Sequence, residues 1–125
     1  MNTNILVLVS AILVVIIDSF YLRLTKNHFS MQVKRVQNAS LKINMTSAIL
    51  CYIFIIFGIN YFIIRKRKSV TDAFLLGLVI YGIFELTNKA ILKDWMWSSV
   101  VIDTIWGGIL FALVTYLTYS IDKLL

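Results

Sequence analysis

Four long apolar runs, separated by charged or polar segments, constrain the fold of this chain more than any other feature of its sequence. They cover roughly residues 5–24, 46–64, 72–92 and 97–119. Each run is about 19–23 residues long, enough for an α-helix to cross roughly 30 Å of hydrocarbon at about 1.5 Å per residue. The pattern predicts an all-α integral membrane protein, a four-helix bundle formed by a single domain of residues 1–125.

The composition also favours a bilayer over a soluble core. Hydrophobic residues make up 60% of the 125 residues, compared with roughly 45–50% in soluble domains. A soluble chain of this length could not bury so much apolar surface, because small folds bury a smaller fraction of their area. The net charge of +6 comes from basic residues between apolar runs. The expected partners are therefore the lipid bilayer and anionic lipid headgroups rather than nucleic acid.

The orientation of the bundle follows only in part from the sequence. The first run is interpreted as a retained helix rather than a cleaved signal peptide, because residues 1–4 carry no Lys or Arg and no cleavage site follows the run. Four spans place both termini on one face. The density of the basic cluster Arg65–Lys68 favours the cytoplasm for that face, whereas the larger total of basic residues on the opposite face favours the reverse.

The connection between the first two runs, about residues 25–44, is long and polar. Within it, Phe29, Val33 and Val36 recur at i, i+4 and i+7, which predicts a short amphipathic helix lying in the membrane interface. A plain solvated loop is the alternative. His28 is interpreted as a solvated side chain of this connection rather than as a ligand.

Aromatic and small residues give weaker signals along the spans. Trp95 and Trp97 are predicted to mark one membrane interface, since tryptophan is enriched at that depth. The pairs Ala73/Gly77 and Gly108/Ala112 have the small-xxx-small spacing that lets helices approach closely.

Three acidic residues, Asp18, Glu85 and Asp103, lie inside predicted spans. An acid at a helix centre costs about 2.5–3.5 kcal/mol to insert, so three of them require a reason. All three lie roughly 8–11 Å below one interface, because helices one and three end at the face where helix four begins. We therefore predict that they cluster in the bundle interior, between helices one, three and four.

Polar and aromatic residues on the same helix faces complete the predicted binding cluster, at three or four positions from an acid. These residues are Tyr21, Tyr81, Asn88 and Trp106. In one interpretation, Arg23, Lys89 or Asn88 neutralises the acids in a structural network, with Lys89 at the i+4 position from Glu85. In the other, the acids line a cavity and bind a proton, a cation or a cationic or hydroxylated substrate.

Catalytic and metal-binding motifs are missing from the sequence. There is no Ser-His-Asp set, no glycine-rich phosphate loop and no His cluster, and the single cysteine, Cys51, lies in an apolar run. Two or three carboxylates can hold a divalent ion together with water. The residue pattern therefore assigns no catalytic residue, metal or cofactor.

The segments around the three acids resemble the recurring motifs of an uncharacterised membrane family, domain of unknown function family 2177, which has members in bacteria and large DNA viruses. These segments are Asp18–Leu22, Phe84–Asn88 with Ala90, Leu92 and Trp95 following, and Asp103–Gly107. Glu85 stands where family members more often have Asp, and Met96 stands near Trp95 where they have a proline. The resemblance implies a four-helix membrane protein and supplies no activity.

Three functional hypotheses follow for a multi-pass protein of a cell membrane, or of a virion or host membrane if the source is viral. The first is a non-enzymatic protein whose carboxylate cluster handles a small solute, an ion or a proton. The second is a membrane-embedded, lipid-modifying enzyme. The third is a structural or assembly component of a membrane, whose partner would be a second copy of the chain, another membrane protein or a capsid protein.

Overall fold

A computed structural model describes residues 2–125 and contains α-helices but no strand over that range. There are five helices in chain order. They are α1 (Thr3–Leu24), α2 (Lys26–Gln37), α3 (Met45–Ile59, continued by a π-helical turn, Asn60–Ile64), α4 (Val70–Ile91) and α5 (Trp97–Leu124). The predicted all-α class is confirmed. Four helices, α1, α3 with its π-helical turn, α4 and α5, are long and apolar enough to cross a membrane.

The closest pair of helices in the bundle is the hairpin of α4 and α5. A Cβ added at Gly77 would lie 2.1 Å from the main-chain oxygen of Gly107, so the two backbones are in contact there. A Cβ at Gly108 would meet the ring of Phe74 at 2.7 Å. Small residues therefore set the separation of these helices, as the sequence spacing predicts for Gly77 and Gly108.

Helix α1 packs on this hairpin through one stripe of side chains. Ser10, Val14, Asp18 and Tyr21 are buried, and their spacing of three or four residues places them on one face of the helix. The opposite face carries exposed apolar residues such as Leu8, which is 60% exposed. Exposed apolar side chains on the outside and polar side chains inside are the arrangement expected in a bilayer, where an unpaired polar group facing lipid is costly.

The predicted amphipathic segment is a helix, α2, and its most deeply buried side chain is a polar one. The most deeply buried residue of α2 is Gln32, which is fully buried, whereas Phe29, Val33 and Val36 are only half-buried. The Gln32 amide donates to the main-chain oxygen of Asp94, at 2.9 Å. A polar contact with the α4–α5 turn therefore fixes this helix across the end of the bundle. We call this end the α2 face.

The opposite end, called the terminal face, carries the start of α1 and the end of α5. Arg67, in the connection between α3 and α4, forms a salt bridge with Asp122 near the end of α5. The hydroxyl of Tyr119 donates to the main-chain oxygen of Lys68, at 2.8 Å. Thr3, at the start of α1, lines one crevice together with Arg67. The basic cluster therefore lies beside the start of α1 and the end of α5.

Single cysteines introduced at Asn2 and at Lys123 are expected to react with an impermeant thiol reagent from the same side of a proteoliposome. Both positions lie at the terminal face, because an even number of spans returns the chain to its starting side. Cys51 is replaced first, since it is a free cysteine. A third single cysteine at Lys93, in the turn at the α2 face, is the control and should react only from the other side. Labelling of the first two positions from opposite sides would contradict the four-span topology.

Candidate functional site

Asp18 lies on the inner face of α1 and accepts hydrogen bonds from two other helices. The hydroxyl of Tyr52, on α3, donates to its Oδ2 at 2.5 Å. The indole Nε1 of Trp106, on α5, donates to its Oδ1 at 2.9 Å. Each carboxyl oxygen thus has a donor, and one side chain joins α1, α3 and α5.

Asp103 lies on α5, and its Oδ1 accepts a hydrogen bond from the Tyr21 hydroxyl of α1 at 2.9 Å. The ring of Tyr21 stacks on that of Trp106, with centroids 4.5 Å apart and planes 1° from parallel. The stacked rings hold two donors in fixed positions, one directed at Asp103 and the other at Asp18. The aromatic residues predicted at i+3 from the acids therefore belong to the cluster.

Glu85 completes the group and is the most deeply buried of the three acids, at 1% exposed. Its carboxyl group lies close enough to the carboxyl group of Asp103 for the two to interact directly. A hydrogen bond between two carboxyl groups requires a proton on one of them, because an ionised carboxylate has only acceptors. The Nε1 of Trp95 donates to Oε1 of Glu85 at 2.9 Å. The three predicted acids thus lie together in the bundle interior, held by aromatic donors.

Neutralisation by a basic side chain does not occur in the part of the chain that the structure describes. No salt bridge joins any of the three acids to Arg23 or Lys89 over residues 2–125. The ammonium of Lys89 instead donates to the main-chain oxygen of Trp95 at 2.7 Å and lies 5.2 Å from the centroid of the Trp97 ring. The pairing suggested by the i+4 spacing of Lys89 and Glu85 is therefore not formed.

Tyr81 and Asn88 differ in their relation to the acids. Tyr81 packs on Gly107, whose added Cβ would lie 2.3 Å from the Tyr81 ring. Its hydroxyl is close enough to Asp18 and Asp103 to interact with them electrostatically. Asn88 is half-buried, and its side chain has no hydrogen bond to the acids within residues 2–125. Tyr81 thus lies near the acids, whereas Asn88 makes no hydrogen bond to them in the described part of the chain.

A second polar layer lies between the acids and the α2 face. The hydroxyl of Ser99 donates to Oε1 of Gln32 at 2.7 Å, and the same oxygen accepts from the Met96 main-chain nitrogen at 2.8 Å. His28 lies 2.9 Å from Ser99 through its Nε2 atom. The interpretation of His28 as a solvated loop residue is wrong, because it is half-buried on α2 and bonded to α5.

The described residues of the cluster do not have the geometry of a metal centre. Among the described residues, no group of three His, Cys, Asp or Glu side chains lies close enough to hold a metal ion. The oxygens of the acids accept instead from phenol and indole groups, which are directional donors. A bound cation would need several free oxygen ligands, and both oxygens of Asp18 already accept hydrogen bonds.

Trp95 connects the acids with a polar cavity that opens at the α2 face. The cavity has a volume of about 700 Å³ and is lined by Trp95 together with Arg35, Lys89 and Asp94. Trp95 is 8% exposed, whereas Trp97 is 62% exposed. Trp97 thus has the exposure of an interface anchor, but Trp95 is a buried part of the site.

The fold and the site together define a polytopic membrane protein whose spans enclose three carboxyl groups held by tyrosine and tryptophan donors. Residues 3–120 match the sequence pattern of the family DUF2177, which is described as a family of predicted membrane proteins. The chain belongs to that family. No curated protein and no solved structure matches it.

Proposed function

We propose that this membrane protein handles protons, and that the Glu85–Asp103 pair takes up and releases one proton from the α2 face. The observation that carries the proposal is that Glu85 and Asp103 are two buried, interacting carboxyl groups with no basic partner in the described residues. Two carboxyl groups that lie close together tend to share one proton, because ionising both would place two like charges side by side.

The surroundings of the pair support exchange with one face. Trp95 bonds Glu85 on one side and lines the polar cavity on the other, so a small movement of its ring would open the pair to water. Towards the terminal face, a layer of fully buried apolar side chains closes the bundle below the acids. These side chains are Val14, Ile59, Leu110 and Phe111. A proton reaches the pair more easily from the α2 face.

The same geometry favours proton handling over the alternative of a lipid-modifying enzyme. A catalytic acid or base must come within hydrogen-bond reach of its substrate. Both oxygens of Asp18 already accept bonds from Tyr52 and Trp106. The pair of Glu85 and Asp103 lies inside the bundle rather than on its lipid-facing surface.

The test is infrared spectroscopy of the protein in lipid vesicles at neutral pH. The wild type is expected to show the carbonyl band of a protonated carboxyl group, and Glu85→Gln or Asp103→Asn should each abolish it. Either amide keeps a similar shape and supplies the N–H donor that replaces the shared proton, so the fold is retained. Asp72→Asn, at an exposed position near the start of α4, is the matched control and should leave the band unchanged.

Two results would contradict the proposal. A wild-type spectrum without the band, or a band that survives both amide substitutions, would mean that the pair holds no proton. A band that fails to shift over hours in heavy water would mean that the proton is fixed in the structure and is not exchanged. The shift should be present in the wild type, because Trp95 lies at the wall of the cavity.

A further inference from the structure

A crevice between α1 and α3 opens at the terminal face, at the other end of the bundle from the second polar layer. It has a volume of about 440 Å³, within the range of roughly 300–1,000 Å³ that is typical of ligand sites. Leu6 and Val7 of α1 form one wall. Ile53 and Phe57 of α3 form the other, and both are more than half exposed.

Beside the crevice, a polar contact joins α1 and α3. The amide of Asn60 donates to the hydroxyl of Ser10 at 2.9 Å and to the main-chain oxygen of Ile56 at 2.8 Å. Asn60 also begins the π-helical turn, whose wider winding changes the direction of the side chains that follow. Apolar walls on either side of this contact leave a slot of the kind that a single hydrocarbon chain can fill.

The mouth of the crevice is basic. The Arg65 guanidinium lies 4.3 Å from the centroid of the Tyr61 ring, and the Lys66 ammonium lies 5.6 Å from the same ring. Neither cation forms a salt bridge within residues 2–125, whereas Arg67 is engaged by Asp122. Two cations without carboxylate partners at the membrane surface are complementary to a phosphate group.

We infer that this crevice binds one anionic phospholipid, with an acyl chain between α1 and α3 and its phosphate at Arg65 and Lys66. The apolar walls account for the chain, and the unpaired cations account for the charge. A neutral lipid would fill the slot but would leave both cations without a partner. The site is independent of proton handling, since it shares no residue with the acid cluster.

The experiment is native mass spectrometry of the detergent-solubilised protein, titrated with phosphatidylglycerol or phosphatidylcholine of identical acyl chains. One tightly bound phosphatidylglycerol is expected, in preference to phosphatidylcholine. Arg65→Gln should weaken its binding about fivefold, the effect of one basic residue near an anionic surface. Lys93→Gln removes the same charge from an exposed position at the α2 face and should leave binding unchanged.

A second pair of variants tests the slot itself. Val7→Phe fills the crevice and should reduce phosphatidylglycerol binding at least tenfold, whereas Val15→Phe, on the exposed part of α1, should not. Equal binding of the two lipids would overturn the inference, as would equal losses in Arg65→Gln and Lys93→Gln. Loss of binding in Val15→Phe as severe as in Val7→Phe would also overturn it, because the lipid would then be bound along the whole helix surface. None of these outcomes bears on the carbonyl band of the acid pair.

Discussion

Gly77→Ala is expected to destabilise the protein by about 3 kcal/mol, the upper part of the usual range for overpacking. The added methyl would lie 2.1 Å from the main-chain oxygen of Gly107 and 2.8 Å from the Phe111 ring. A flexible side chain could move away, but a helix backbone cannot yield without separating α4 from α5. Because these helices carry Glu85 and Asp103, their separation would also pull the carboxyl pair apart.

The matched control is Gly58→Ala, since no atom lies within 4 Å of a Cβ added at Gly58. Alanine is favoured over glycine inside a helix by up to about 1 kcal/mol, so this variant is expected to be slightly more stable than the wild type. Tryptophan fluorescence during unfolding by sodium dodecyl sulfate in mixed micelles would measure both changes. A Gly77→Ala variant as stable as Gly58→Ala would show that the α4–α5 contact is looser than the geometry requires.

Much of the fold could be predicted because the bilayer imposes its thickness on the sequence. The predicted span 97–119 begins at the first residue of α5, although that helix continues to Leu124. Beyond residue 119 the chain is amphipathic rather than apolar, so hydropathy alone underestimates the length of the helix. The salt bridge between Arg67 and Asp122 supports this last turn by joining it to the α3–α4 connection.

The clustering of the acids could also be predicted, since equal depth and the cost of facing lipid leave few alternatives. The partners of the acids are harder to predict. Helical spacing shows which side chains can reach an acid, but it does not show which of them forms the hydrogen bond. Lys89 has the spacing of a helical ion pair with Glu85, yet the Trp95 carbonyl captures its ammonium. Such a contact depends on the shape of the turn after α4, which no periodicity in the sequence describes.

Three buried polar contacts could not be recognised from the sequence, because in each the two partners lie on different helices or across a turn. Tyr52 lies in an otherwise apolar run, where its hydroxyl alone could have signalled a buried acceptor. Trp95 has the position of an interface anchor and is nonetheless a buried donor to Glu85. Gln32 is the only polar residue of α2 that is fully buried, and its three hydrogen bonds to the α4–α5 turn and the start of α5 explain why.

Asp18 is the second position where a large change in stability is expected. Asp18→Ala should cost about 1–3 kcal/mol, because it leaves the donors of Tyr52 and Trp106 without an acceptor inside the bundle. Hydrogen bonds between membrane helices contribute about 0.6 kcal/mol on average and up to about 1.7 kcal/mol each. Burying a carboxyl group is itself costly, so its removal recovers part of the stability that the lost hydrogen bonds provided. The net loss therefore stays within about 1–3 kcal/mol.

Asp18→Asn should keep most of the stability that Asp18→Ala loses. An amide oxygen can accept from Trp106, whose indole only donates, while the amide N–H₂ can donate to the hydroxyl oxygen of Tyr52, which also accepts. A double-mutant cycle of Asp18→Ala with Tyr52→Phe, measured by unfolding in mixed micelles, isolates the hydrogen bond to α3 from the burial of the carboxyl group. We expect a coupling free energy of about 0.6–1.7 kcal/mol. A coupling near zero, with Asp18→Ala as stable as Asp18→Asn, would mean that Asp18 does not hold α3 against α1, so that apolar packing alone would fix that helix.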